Sequence, residues 1–305
     1  MKSNRTGYGP AQRAIDALGK WLVFSMIVIA ASVIHIPEAE AARCSADGSS
    51  CTYQERDNWY WCGLAYVPRH VRWQVPEGIA PVGGWRTAFF YNGTTPTDLD
   101  PFTKHPLLLN AFGMDVSPKI FQELLDNPAG IGHKYAAFAP DPPASAVLTQ
   151  FWHTNVVTPY AASCDYSFLN DFFNAIKSGS YGPASQYNMG QRYAYGISSG
   201  GYNTSRMAVT FNGSSVWKAL AVISASYATC SGPLCVVPNL PSNHPPTKFY
   251  HGTLDPIVPL FTMEYYYNKL IDAGKETSKS LHVGGHELSD DNLGGTGVKA
   301  WFDAH

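Results

Sequence analysis

The chain has 305 residues, of which 45% are apolar and only 14% charged, and its formal net charge is −2. That length accommodates a single large α/β domain, and the apolar content excludes a disordered chain. The near-neutral balance excludes partners held by bulk charge, so neither nucleic acid nor an anionic membrane surface is an expected ligand.

Residues 1–41 read as an export signal. Lys2, Arg5, Arg13 and Lys20 precede an apolar run over residues 21–36, and Ala39-Glu40-Ala41 supplies a small-residue cleavage site. The run of 16 residues is shorter than the roughly 20 that span a bilayer as a helix. No stable membrane insertion is therefore expected after cleavage. The mature chain, 42–305, is expected to be a single catalytic domain that is secreted and extracellular. Removing four basic and three acidic residues leaves 17 and 20, a net charge of −3. Six cysteines remain, at 44, 51, 62, 164, 230 and 235. An even number in an exported chain favours disulfides. Cys230 and Cys235 flank a short turn and are expected to pair. The three early cysteines are expected to staple the N-terminal approach to the domain, with Cys164 within their reach. No paired ligand motif accompanies them, so no metal is expected.

Along the chain, strand-like and helix-like patterns alternate. Residues 87–91 (TAFFY) read as a strand ending at the Asn92-Gly93 turn. A helix follows over 117–126, and 135–139 reads as a buried strand. Tyr166, Leu169, Phe172, Phe173 and Ile176 mark one face of a helix that ends at Gly179. Then come a strand (192–195), a helix (199–211), a strand (219–224), a strand (248–251), a helix (261–273), a strand (280–283) and a last helix from Gly297. Strict alternation implies crossover connections and a mostly parallel sheet with helices on both faces. Residues 225–246 carry two cysteines and five prolines and break the rhythm. They read as an excursion over one end of the sheet, either a lid or a plain surface loop.

Gly196-Ile197-Ser198-Ser199-Gly200 matches G-x-S-x-G between a strand pattern and a helix pattern. That context places Ser198 on a tight strand-to-helix turn as a nucleophile. A serine at its ordinary pKa needs a base, and in this α/β-hydrolase arrangement the acid and histidine follow it in order. Asp255 follows one strand, 57 residues after Ser198, and His286 follows the last strand, 31 residues further on. Rivals fit less well. Asp272 lies on a helix pattern, Asp290 and Asp291 come after the histidine, and His251 and His282 lie within or at the end of strands. The oxyanion donors expected are the backbone amide of Ser199 and the Asn92-Gly93-Thr94 loop. The chemistry needs no cofactor.

Ile197-Ser198-Ser199-Gly200, the His-Gly-x-x-Asp-x-x-Val-Pro segment around Asp255, and Gly284-Gly285-His286 resemble extracellular polyhydroxyalkanoate depolymerases. The likeness is closest to the medium-chain-length type, the poly(3-hydroxyoctanoate) depolymerases, and covers most of the chain from Cys62. It implies an α/β-hydrolase fold, a Ser198–Asp255–His286 triad without metal, and a water-insoluble polyester as substrate. Only 19 residues follow His286, so no separate binding domain is expected and the catalytic domain must grip the polymer itself. Trp152, within Phe151-Trp152-His153, and Tyr265, within Tyr265-Tyr266-Tyr267, are the substrate-contact candidates. Feruloyl and acetylxylan esterases share similar motifs and form the alternative enzyme class. A non-catalytic polymer-binding protein is the alternative outside enzymes.

Overall fold

The computed structural model describes residues 53–93, 116–143, 152, 159–211, 216–231 and 234–305. The expected export segment 1–41, Cys44, Cys51, Thr94, Phe151 and His153 lie outside these residues. Eight strands form one sheet, in the order β1, β2, β4, β3, β5, β6, β9, β10. They are β1 (Gln54–Cys62), β2 (Ala65–Gln74), β3 (Trp85–Tyr91), β4 (Tyr135–Pro140), β5 (Tyr187–Ile197), β6 (Trp217–Ile223), β9 (Thr247–Gly252) and β10 (Thr277–His282). From β4 through β10 every neighbouring pair is parallel. β1 pairs antiparallel with β2, and β2 antiparallel with β4. The chain folds as an α/β hydrolase.

The five helices described are α1 (Val116–Asp126), α2 (Cys164–Lys177), α3 (Ser199–Thr210), α4 (Leu260–Asp272) and α5 (Val298–Asp303). The carboxyl halves of the central strands β3, β5 and β6 are buried and largely apolar because both of their faces are covered there. Phe90 points into a cluster with Ile120, Phe121 and Phe302 of α1 and α5. Phe89, its neighbour in sequence, packs with Phe168, Phe172 and Phe173 of α2 and Met207 of α3 on the opposite face. Further along that second face, Val222 and Phe249 meet Met263 and Tyr266 of α4. The alternation of the pleat therefore decides which helix layer each side chain joins. α2 starts sharply because the Ser163 side chain accepts a hydrogen bond from the Tyr166 amide at 3.2 Å, one of the orphan donors of its first turn.

The expected strands and helices from residue 87 onward are all present, with bounds that shift by at most five residues. The β1–β2 hairpin was not expected. Its signal is masked because Trp59 and Trp61 lie on the exposed face while Tyr60 lies on the buried one. Apolar residues on both faces erase the alternation that marks a half-buried strand. Within the 225–246 excursion, β7 (Cys230–Ser231) and β8 (Leu234–Cys235) form a two-stranded antiparallel pair. Ala225, Tyr227, Ala228, Cys230 and Val237 are buried against α4 and β9. Those residues anchor the segment to the core, while Val236 stays exposed. Disulfides join Cys62 to Cys164 and Cys230 to Cys235.

Candidate active site

β5 enters the candidate nucleophile turn and α3 leaves it, with Ser198 alone between them at φ 54° and ψ −124°. A positive φ is costly for a residue with a Cβ, and it persists here because the surroundings over-determine it. The Ser198 amide donates to the Ile223 carbonyl at 3.0 Å, and the Ser198 carbonyl accepts from Tyr202 N at 3.0 Å. Gly196 and Gly200 are required by close approach. A Cβ on Gly200 would overlap the Tyr91 carbonyl, and one on Gly196 would overlap Gly200 itself. Ser198 is left half-buried at the carboxyl edge of the sheet.

The acid and the histidine come from loops after β9 and β10, and those loops are sewn together. Thr253 N donates to the His282 carbonyl and Leu254 N to the Gly284 carbonyl, both at 2.9 Å. Gly252 packs so closely on the carbonyls of Gly284 and Gly285 that no side chain fits there. The two loops are thus tied directly to each other. Across them, His286 Nδ1 and Asp255 Oδ2 are 2.9 Å apart. An ionised carboxylate only accepts, so Nδ1 carries the proton and Nε2 is free to act as a base. The other carboxylate oxygen, Oδ1, accepts from the amides of Ile257 at 2.9 Å and Val258 at 2.8 Å. Burial pushes the Asp255 carboxyl up, but hydrogen bonds from His286 and Val258, with smaller help from the histidine's charge and Ile257, outweigh it. The net shift is below the ordinary carboxylate value of 3.8. Asp255 is therefore a buried anion held in one orientation.

His251, set aside as a packing residue, is wholly buried and donates through Nε2 to the Val258 carbonyl at 2.8 Å. The same nitrogen lies 3.6 Å from Asp255 Oδ2, so it braces the acid loop from behind. Burial drives its pKa down, which keeps it neutral in that role.

The expected oxyanion residues lie together. Gly93 packs against the nucleophile turn, where a Cβ would come within 2.7 Å of Ser198 Cβ. Ser199 opens α3, so its amide is among the unpaired donors of that helix's first turn. Its side chain does more than was expected of it. The buried hydroxyl donates to the Gly93 carbonyl and accepts from the Trp152 amide at 3.3 Å. Trp152 is placed differently from a substrate contact. It is 1% exposed, donates its indole N–H to the Asn92 carbonyl at 2.7 Å, and stacks edge-on against Tyr91. It is a strut behind the Asn92-Gly93 loop. Tyr265 is exposed in the second turn of α4, beside Asn268, Lys269 and Asp272 rather than beside the triad residues. The exposed apolar residues closest in sequence to the acid and the histidine are Leu254, Ile257 and Val283, which sequence reasoning missed. The signal was present, since each is a large apolar residue in a loop where polar ones are usual.

Among the described residues no group of three His, Cys, Asp or Glu side chains is arranged to hold a metal ion. None of their helices is long and apolar enough to cross a membrane.

No protein-family model matches the chain. Two solved structures share its fold. One is titled a ferulic acid esterase (13% identity, 77% of this chain and 92% of that one, TM-score 0.52). The other is MGS-M1, an α/β-hydrolase enzyme from a Medee basin deep-sea metagenome library (17% identity, 82% and 94%, TM-score 0.50). A curated relative is far more similar: the poly(3-hydroxyoctanoate) depolymerase of Pseudomonas fluorescens is 45% identical over 261 residues, covering 84% of this chain and 86% of that protein. With that identity over that length, the chain is a carboxylic ester hydrolase and belongs to the poly(3-hydroxyoctanoate) depolymerase family.

Proposed function

We propose that the protein is exported and hydrolyses the backbone esters of a water-insoluble poly(3-hydroxyalkanoate), with Ser198, Asp255 and His286 as its triad. The observation that carries the triad is the fixed Asp255–His286 couple on the sheet edge where strained Ser198 also stands. Ser198 Oγ attacks the ester carbonyl while His286 Nε2 takes its proton. The Ser199 amide and the Asn92-Gly93 loop face the developing oxyanion. Collapse of the tetrahedral intermediate expels the hydroxyl end of the neighbouring monomer, which leaves with the proton held by His286. Water then attacks the acyl-enzyme, giving up a proton to His286, and Ser198 is restored when the acid departs. Asp255 remains ionised throughout and stabilises the imidazolium.

The polyester reading draws on the relative, and the exposed apolar residues Leu254, Ile257 and Val283 beside the acid and histidine suit an alkyl-bearing chain. Export, with removal of residues 1–41, is supported by the two disulfides, which form and persist in oxidising compartments. Side-by-side rates test the function. Release of 3-hydroxyalkanoate from emulsified poly(3-hydroxyoctanoate), with little action on methyl ferulate or acetylxylan, is expected. The opposite ranking would assign the enzyme to cell-wall esters and leave the triad standing.

A further inference from the structure

The β1–β2 hairpin carries a surface that the triad does not use. In its antiparallel register Trp59 faces Pro68 and Trp61 faces Tyr66, so these four share one face. That face is open: Trp59 is 59% exposed, Trp61 49%, Tyr66 65%, and Leu64 in the turn 96%. Trp61 and Tyr66 meet edge to face with centroids 5.4 Å apart. Residues 58–68 contain no Asp, Glu, Lys or Arg, whereas an exposed edge strand is usually blunted by charge. Charge appears only further down the hairpin, where His70 bonds Asp57 and Glu55 at 3.2 Å. A contiguous apolar platform of this kind on a soluble protein marks an interaction surface.

Its position identifies what it meets. The register pairs Val71 of β2 with Pro140 at the end of β4. Residues 65–70 therefore run on beyond the carboxyl end of β4, about 20 Å of extended chain. β3 and β5 are parallel to β4 in the sheet, so the hairpin tip projects from the same end as Ser198. The inner face of the hairpin is fastened to the catalytic wall. Cys62 is bonded to Cys164 at the start of α2. Arg69 donates to Asp165 at 3.0 Å and to Tyr60 at 2.8 Å, and its guanidinium lies 4.9 Å from the ring of Trp152, the strut behind Asn92. A surface seated on Trp59, Trp61 and Tyr66 would thus be held by a rigid element continuous with the site, at little cost in ordering.

We infer that this hairpin face is the adsorption platform by which the enzyme docks on the solid, uncharged surface of its polyester, an inference that rests on the proposed substrate class. The platform lacks charge, as a polyester surface does, and rigid aromatic residues anchor contacts of this kind.

Adsorption to poly(3-hydroxyoctanoate) film, followed by quartz-crystal microbalance in a Ser198→Ala background, tests it. Trp59→Ser/Trp61→Ser/Tyr66→Ser should weaken film binding by about tenfold or more, as loss of anchoring aromatics does. With Ser198 restored, the triple variant should erode film slowly yet hydrolyse soluble p-nitrophenyl octanoate at the wild-type rate. Leu64→Glu, a single charge placed at the open tip, should act in the same direction and guards against misfolding of the triple variant. Wild-type film binding by both variants would overturn the inference. So would equal adsorption to bare silica, or a wild-type dimer that the variants dissociate without loss of film binding. A wild-type enzyme that adsorbs through these residues but releases no monomer would sink the substrate and leave the platform standing.

Discussion

Replacing Asp255 by asparagine should leave the fold of the acid loop intact and remove nearly all activity. An asparagine carbonyl can still accept from the Ile257 and Val258 amides, which now bond Oδ1 at 2.9 and 2.8 Å. Its amide nitrogen then faces His286 Nδ1 across the present 2.9 Å. It can only donate there, so Nδ1 becomes the acceptor and the proton moves to Nε2. The imidazole then has no lone pair for the Ser198 proton, and the imidazolium loses its counter-charge. The expected fall in kcat is about ten-thousand-fold, about 5.5 kcal/mol of transition-state stabilisation, with little change in KM. Asp255→Ala differs, because it also leaves the buried Val258 amide without its acceptor and should lower stability by about 1–3 kcal/mol. Steady-state kinetics on p-nitrophenyl octanoate with thermal melts of both variants separate the two effects. An Asp255→Asn enzyme within about tenfold of wild-type kcat would refute the role given to the acid.

Further outcomes follow from the same geometry. Ser199→Ala removes the hydroxyl that joins Gly93 to Trp152 and should cut kcat by about ten- to a hundredfold through a loosened oxyanion loop, with KM almost unchanged. Because the Asp255 pKa is lowered in the folded state, its contribution to stability is present above the ordinary value of 3.8 and is lost as pH falls through the lower folded value. Melting temperature against pH, from about 5 downward, should be steeper for wild type than for Asp255→Asn. Cys62→Ser/Cys164→Ser opens a link spanning 102 residues and should cost about 2–5 kcal/mol in chemical denaturation. Asp165→Asn leaves Arg69 charged and buried beside Tyr60, Trp152 and Phe168, at a cost of about 3–5 kcal/mol by the same assay.

The candidate site could be picked out because the chemistry proposed for it forces local sequence. The strained turn at Ser198 demands glycine on both sides, and the strand-then-loop placement of Asp255 and His286 follows from the order of a parallel sheet. Residues 87–91 were equally plain, since a strand covered on both faces is apolar along most of its length, here from Ala88 to Tyr91. Tertiary context hid the rest. Trp59 and Tyr60 look alike in sequence, yet one faces solvent and the other the core, so the hairpin they belong to left no alternation. Trp152 reads as an apolar contact residue until the Asn92 carbonyl is found at its indole nitrogen. His251 reads as packing because its neighbour Asp255 is reached only through a turn, and the Ser199 hydroxyl has its partners 106 and 47 residues away.

Covalent labelling at Ser198 tests the central claim most directly. Incubation with a fluorophosphonate, followed by peptide mapping and assay of both p-nitrophenyl octanoate and poly(3-hydroxyoctanoate) hydrolysis, reads nucleophile and function together. The expected result is one phosphonyl group per chain, on Ser198, with both activities lost in proportion to labelling. Full labelling elsewhere, or polymer hydrolysis that survives complete modification of Ser198, would contradict the account.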